Sequence, residues 1–138
     1  MINLKKIVIL LLCFILTGCF ENSGYLVKTC TNVEKSDTFT GITTYTFGFK
    51  NDVIDDLKIT YDYQDTNSDT IAALKLSLTT QNNFLKLAEE VLVDTPNQYK
   101  ITYQLPLNPT DEIKDKFVIR TSRTDLVNNL KEKGFTCE

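Results

Sequence analysis

The chain has 138 residues, with 15 Lys and Arg against 18 Asp and Glu, a formal net charge of −3 and no His. Hydrophobic residues make up 42%, a globular fraction rather than a disordered one, and the length holds one domain. A mildly acidic balance argues against nucleic-acid binding, which needs a basic face. The lack of His removes the commonest general base and the commonest metal ligand.

Met1 to Lys6 carries Lys5 and Lys6 and no acid, and Ile7 to Leu16 is an unbroken apolar run. A basic stretch followed by an apolar one reads as a signal peptide over residues 1–18. The run is too short to span a membrane, which takes about 20 apolar residues. Leu16-Thr17-Gly18-Cys19 resembles the lipobox of bacterial lipoproteins: an aliphatic residue, two small residues, then Cys. The resemblance implies diacylglyceryl transfer to the Cys19 sulfur and cleavage before it. The plainer alternative is a secretory signal cut nearby, with Cys19 a simple thiol; both export the domain. Two or more acyl chains make a stable membrane anchor, since each buried CH₂ contributes about 0.8 kcal/mol. The linker, residues 19–24, is short: Phe20 to Gly24 reaches at most roughly 17 Å. The domain, residues 25–138, is therefore expected close to the cell membrane, on its extracytoplasmic face.

Tyr25 to Val33 reads as a strand rich in β-branched and aromatic residues. Thr38 to Lys50 alternates cleanly, with Tyr45, Phe47 and Phe49 on one face. Asn51-Asp52 suits a hairpin turn, which needs residues that accept positive φ. Ile54 to Tyr63 follows, with Leu57, Ile59, Tyr61 and Tyr63 against Lys58, Thr60 and Asp62. These three strands predict an antiparallel meander with one oily and one wet face.

Gln64 to Asp69 is polar and reads as a loop, with Ser68 or Asp69 capping a helix from Thr70. Ile71, Leu74, Leu78, Leu85, Ala88 and Leu92 fall near one helical stripe, which Phe84, Leu87 and Val91 widen. Thr79 to Asn83 are poor helix formers, so a kink or a break is expected there. Leu74 to Thr79 also alternates as a strand would. Pro96 ends the region. Gln98 to Leu105 reads as a fourth strand. Asn108-Pro109, with Asp111 and Glu112 behind, starts a short helix to about Phe117 or Val118; a strand at Phe117 to Thr121 is the alternative. Ser122 and Asp125 form an approximate capping box for a last helix buried through Leu126, Val127 and Leu130. Gly134 stands where a left-handed cap belongs, with Phe135 packing back. The order predicts an α+β fold: an antiparallel meander of about four strands, with two to three helices covering one face.

Cys13 leaves with the signal and Cys19 is the lipid site, which leaves Cys30 and Cys137. Two Cys in an exported chain have one pairing. The bridge would close nearly the whole domain and return Thr136-Cys137 to the sheet. A redox pair or thiolate metal site is the alternative, though no C-x-x-C motif supports it.

The plan resembles the YehR-like group of small bacterial lipoproteins. The residues that carry it are Leu16 to Cys19, the Thr/Tyr-rich hairpin Thr40 to Tyr63 with its Lys50-Asn51-Asp52 turn, and the Leu126 to Cys137 tail. The resemblance implies an α+β envelope lipoprotein of unestablished activity, and no catalytic residues come with it.

Asp62, Asp65, Asn67 and Asp69 place oxygens two and three apart in a loop, as a Ca²⁺ site can. Counted from Asp65, the sixth residue is Thr70 and the twelfth Leu76, so the loop is no EF-hand. The alternative is a polar loop whose acids favour a helix N-terminus. Asp55-Asp56 and Glu89-Glu90 are adjacent carboxylates that point apart in regular structure. Ser68, Ser77 and Ser122 have no G-x-S-x-G around them. Tyr45, Tyr61, Tyr63, Tyr99 and Tyr103 lie on apolar faces, as core residues or as a platform for a glycan or peptide. The expected function is a lipid-anchored, non-enzymatic binding or interaction module, with no cofactor and no catalytic residue. Its partners are the membrane and an unknown envelope protein or small ligand. The alternatives are a solute- or metal-binding lipoprotein and a carboxylate hydrolase.

Overall fold

The computed structural model describes residues 25–51, 53–117, 119 and 122–138. Residues 1–24, where a signal peptide, a linker and the lipid site Cys19 are expected, lie outside these residues, as does Asp52 of the expected hairpin turn. Among the described residues nine elements follow in order: β1 (Tyr25–Lys35), β2 (Phe39–Lys50), β3 (Val53–Asp65), α1 (Ser68–Leu85), β4 (Ala88–Thr95), β5 (Gln98–Gln104), α2 (Asp111–Phe117), α3 (Arg123–Glu132) and β6 (Thr136–Cys137). The class is α+β, as expected. The sheet is larger than expected: six strands in the order β4-β5-β3-β2-β1-β6, with every pair antiparallel.

β1, β2 and β3 form the meander. Lys50 pairs with Val53 across a two-residue turn, and Asn51 takes φ 53° there, the geometry a tight hairpin asks of its first turn residue. Alternation sends Tyr45, Phe47, Phe49, Leu57, Ile59, Tyr99, Ile101 and Tyr103 to one face, where they join the helical residues Ile71, Leu78, Ile113, Phe117, Leu126 and Leu130 in a single core. The other face carries a row of threonines. Thr31 and Thr44 hydroxyls lie 3.5 Å apart, and Thr60 and Thr102 hydroxyls 2.8 Å apart.

The long helical stripe predicted from Thr70 to Leu92 is corrected. α1 is continuous across Thr79–Asn83 and stops at Leu85, and Ala88–Thr95 is a strand. The stop is local chemistry. Lys86 enters the left-handed region at φ 54°, and its N–H donates to the Asn82 carbonyl at 2.6 Å. Beyond it, Val91 and Val93 favour an extended chain, and Thr95 Oγ1 accepts from Gln98 N at 3.0 Å across Pro96-Asn97. Phe84, assigned to the stripe, is 72% exposed. The cap of α1 is Asn67, whose side chain accepts from Asp69 N, not Ser68 or Asp69. α2 begins at Asp111 with Thr110, not Asn108, at its head: Thr110 Oγ1 accepts from Ile113 N at 3.4 Å. It runs through Phe117, so the alternative strand cannot start there; Val118, Arg120 and Thr121 lie outside the described residues.

The tail follows expectation. Ser122 caps α3 by accepting from Asp125 N at 3.2 Å. Gly134 at φ 90° lets Phe135 N donate to Leu130 O and Gly134 N to Lys131 O, the paired bonds of a Schellman end. The Phe135 ring then meets Tyr45 edge-on, centroids 5.4 Å apart, and Cys137 reaches β1.

Candidate functional site

The Cys30–Cys137 disulfide is formed, between residues 107 positions apart in the chain. Cys30 is fully buried. The two residues face each other in the β1–β6 ladder with Cα atoms 4.0 Å apart, flanked by reciprocal Thr29–Glu138 backbone bonds.

The sequence's candidate Ca²⁺ loop is divided by the fold. Asp62 accepts from Gln98 Nε2 at 2.9 Å and pairs with Lys100 at 3.5 Å. Asp65 is buried and accepts from Asn67 N at 2.7 Å. Asp69 serves the first turn of α1. No group of three or more potential metal ligands gathers among the described residues. The adjacent carboxylates are likewise separated: Asp56 accepts from Gln104 Nε2 at 2.7 Å, and Glu89 from Asn82 Nδ2 at 2.6 Å. Ser122 is a helix cap and Ser68 opens α1.

The tyrosines divide between core and rim. Tyr45, Tyr99 and Tyr103 are buried. Tyr61 and Tyr63 are half-buried; Tyr61 stacks on Tyr63 with centroids 5.9 Å apart, and Tyr63 on Phe39 at 6.0 Å. Gly41 permits this: a Cβ there would stand 2.9 Å from the Phe39 ring. Burial pushes the Tyr45 hydroxyl up to about 12 and raises Tyr61 and Tyr103 further.

One feature escaped the sequence: an apolar cleft at the edge of β3. β5 pairs with β3 only as far as Lys58, and Leu105 N then donates to Leu57 O at 2.9 Å. Pro106 cannot donate, so the ladder stops there. Gln104 folds over that end, its Nε2 reaching Asp56 Oδ1, Leu57 O and Leu105 O. Among the described residues the chain next meets the edge of β3 at Ser122, which bridges to Val53. Between these points Val53, Ile54 and Leu57 face the loop Pro106–Pro109, with Lys114 and Ile119 closing the side, around a cleft of about 470 Å³. That lies within the roughly 300–1,000 Å³ typical of small-molecule sites. At the far end of the sheet a second, more open cleft is polar, lined by Thr38, Thr40, Gln64, Asp65, Thr66 and Asn97.

Fold and cleft together define a small α+β domain, closed by one bridge, with an apolar site on a strand edge. No protein-family model matches the chain, and no curated protein matches it. Among solved structures the chain is similar to the NMR structure of a protein from Streptococcus pneumoniae TIGR4, with a TM-score of 0.54 and 14% identity, over 86% of this chain and 87% of that one. At that identity the likeness establishes the fold alone.

Proposed function

We propose that the chain is a lipid-anchored envelope protein, held at the extracytoplasmic face by Cys19, that works as a non-enzymatic binding module. The observation that carries this is the Cys30–Cys137 bridge. Disulfides persist in oxidising compartments, and the leader with its lipobox-like end offers the route to one. The acids support a structural use: Asp56, Asp62, Asp65 and Glu89 each accept a hydrogen bond that holds the fold. Binding rests on the cleft between Val53 and Leu107, whose apolar walls suit an apolar ligand. A solute-binding lipoprotein is the second reading, and the size of the same cleft favours it over a metal-binding one.

The test is fractionation of cells making the full chain or Cys19→Ser, with mass spectrometry of the Cys19 peptide. The reading expects a diacylglyceryl-modified peptide in membranes and a soluble Cys19→Ser protein. An unmodified Cys19 in an exported, soluble wild type would return the plain secretory reading.

A further inference from the structure

We infer that the Val53–Leu107 cleft is a hydrocarbon site that receives an acyl chain of a bilayer lipid, and that this end of the sheet is the one that meets the membrane. The inference rests on the anchoring reading above and adds an orientation and a ligand class to it.

The argument starts from where the chain enters the domain. Tyr25, the first residue of β1, stands opposite Lys50, and Lys50 stands opposite Val53. Neighbouring strands lie about 4.8 Å apart, so the cleft wall is only about 10 Å from the point of entry. Cys19 precedes Tyr25 by six residues, a span of at most roughly 22 Å when fully extended. An anchor at Cys19 therefore holds this end of the sheet, and not the other, against the bilayer.

The surface at this end fits that neighbour. Leu26, Val27, Val53 and Leu107 are 49%, 58%, 63% and 62% exposed. Leu26 and Val27 lie at the start of β1, and Val53 and Leu107 form the lip of the cleft. Apolar side chains left in water at a cleft mouth mark a contact with a membrane or a partner. Each gains free energy when its apolar surface leaves water. The cleft walls add Ile54, Leu57 and Pro106, which offer a hydrocarbon chain contact without asking for a hydrogen bond. Lys114, beside them, offers a cation to an anionic headgroup. The cleft at the opposite end of the sheet has the reverse character. There the cleft is lined by Thr, Gln, Asp and Asn, groups that lose hydrogen bonds with water when they enter a bilayer.

The experiment uses the full chain in the cells that make it. Cells are grown on a fatty acid bearing a diazirine, which enters the bilayer lipids. They are then irradiated, and the lipid-bearing peptides of the chain are mapped. Crosslinks are expected on the peptides holding Val53, Ile54 or Leu107. Their yield should fall about tenfold or more in a Val53→Asp, Leu107→Asp double variant, since a loss of about 1.4 kcal/mol is already tenfold in occupancy. Both side chains are largely exposed, so the variant should keep its melting temperature, which is measured alongside. Crosslinks that fall only on the far end or on the threonine face would overturn the inference, as would equal yields in both proteins. The Cys19 peptide from the same digest reads the anchor separately. A lipidated Cys19 without cleft crosslinks retires the cleft alone. An unlipidated Cys19 with cleft crosslinks retires the anchor and leaves the hydrocarbon site standing.

Discussion

Asn82 turns its side-chain amide back onto both backbone groups of Leu87. Its Oδ1 accepts from Leu87 N at 2.8 Å, and its Nδ2 donates to Leu87 O at 3.1 Å. One side chain thus mimics a strand partner at the point where α1 ends and β4 begins. Asn82→Ala should lower stability by about 1–2 kcal/mol, because two backbone groups lose their partner. Asn82→Asp should fare no better: it keeps the acceptor, loses the donor and sets a second carboxylate beside Glu89. Urea midpoints of the three proteins, at unchanged slope, decide this.

The bridge should carry a large share of the stability. A loop of about 100 residues contributes roughly 4–5 kcal/mol in the chain-entropy view. Reduction, or Cys30→Ser with Cys137→Ser, should therefore lower the free energy of unfolding by about 3–5 kcal/mol. The cost includes a serine hydroxyl in the fully buried Cys30 position. Urea unfolding with and without reductant measures the first, and the double variant the second.

Tyr103 Oη is buried with no hydrogen-bond partner among the described residues. A desolvated hydroxyl without a partner costs about 1–3 kcal/mol. Tyr103→Phe keeps the ring against Tyr61, 6.2 Å between centroids, and removes the hydroxyl. It should be neutral or stabilising by up to about 1 kcal/mol, against the usual trend for core substitutions. A lower melting temperature would show that the hydroxyl contributes.

The buried tyrosines set an alkaline limit. Burial raises the Tyr45 hydroxyl to about 12 in the folded chain, against about 10 when unfolded. Below about pH 10 both states hold the proton, and the stabilisation is fully present. Above it the unfolded chain releases the proton first, so stability falls as pH rises towards the folded value. Tyr61 and Tyr103 shift in the same direction and steepen the fall. Stability should be flat in this respect up to about pH 9.5 and drop beyond. Tyr45→Phe should flatten the drop, as chemical unfolding at stepped pH would measure.

The meander and the tail were legible because each rests on signals that lie within one segment. Alternation at Tyr45, Phe47 and Phe49 assigns a face by itself, and Gly134 two residues after Glu132 marks a helix end. The stretch from Leu85 to Thr95 was not legible, because its apolar spacing continues the helical stripe by coincidence. What ends the helix is Lys86 in a left-handed conformation, supported by an Asn side chain four residues earlier, and neither residue type announces that role. Val91, Val93 and the Pro96-Asn97 turn were the signals for a strand, and the longer pattern outweighed them. The cleft was hidden for a different reason. It is made by a ladder that stops at Pro106 and a chain that returns at Ser122, and such a gap belongs to the topology rather than to any residue.

The disulfide has a mechanical consequence. A pull at the N-terminal end of β1 can peel only the stretch Tyr25–Thr29 from β2 before it reaches Cys30. From there the load divides between two covalent paths, onward along β1 and across to Cys137 and the end of α3. The part of β1 exposed to stripping is thus shorter than the strand itself. A domain tugged from its leading end would yield first in those few residues, while its core stayed closed as a ring.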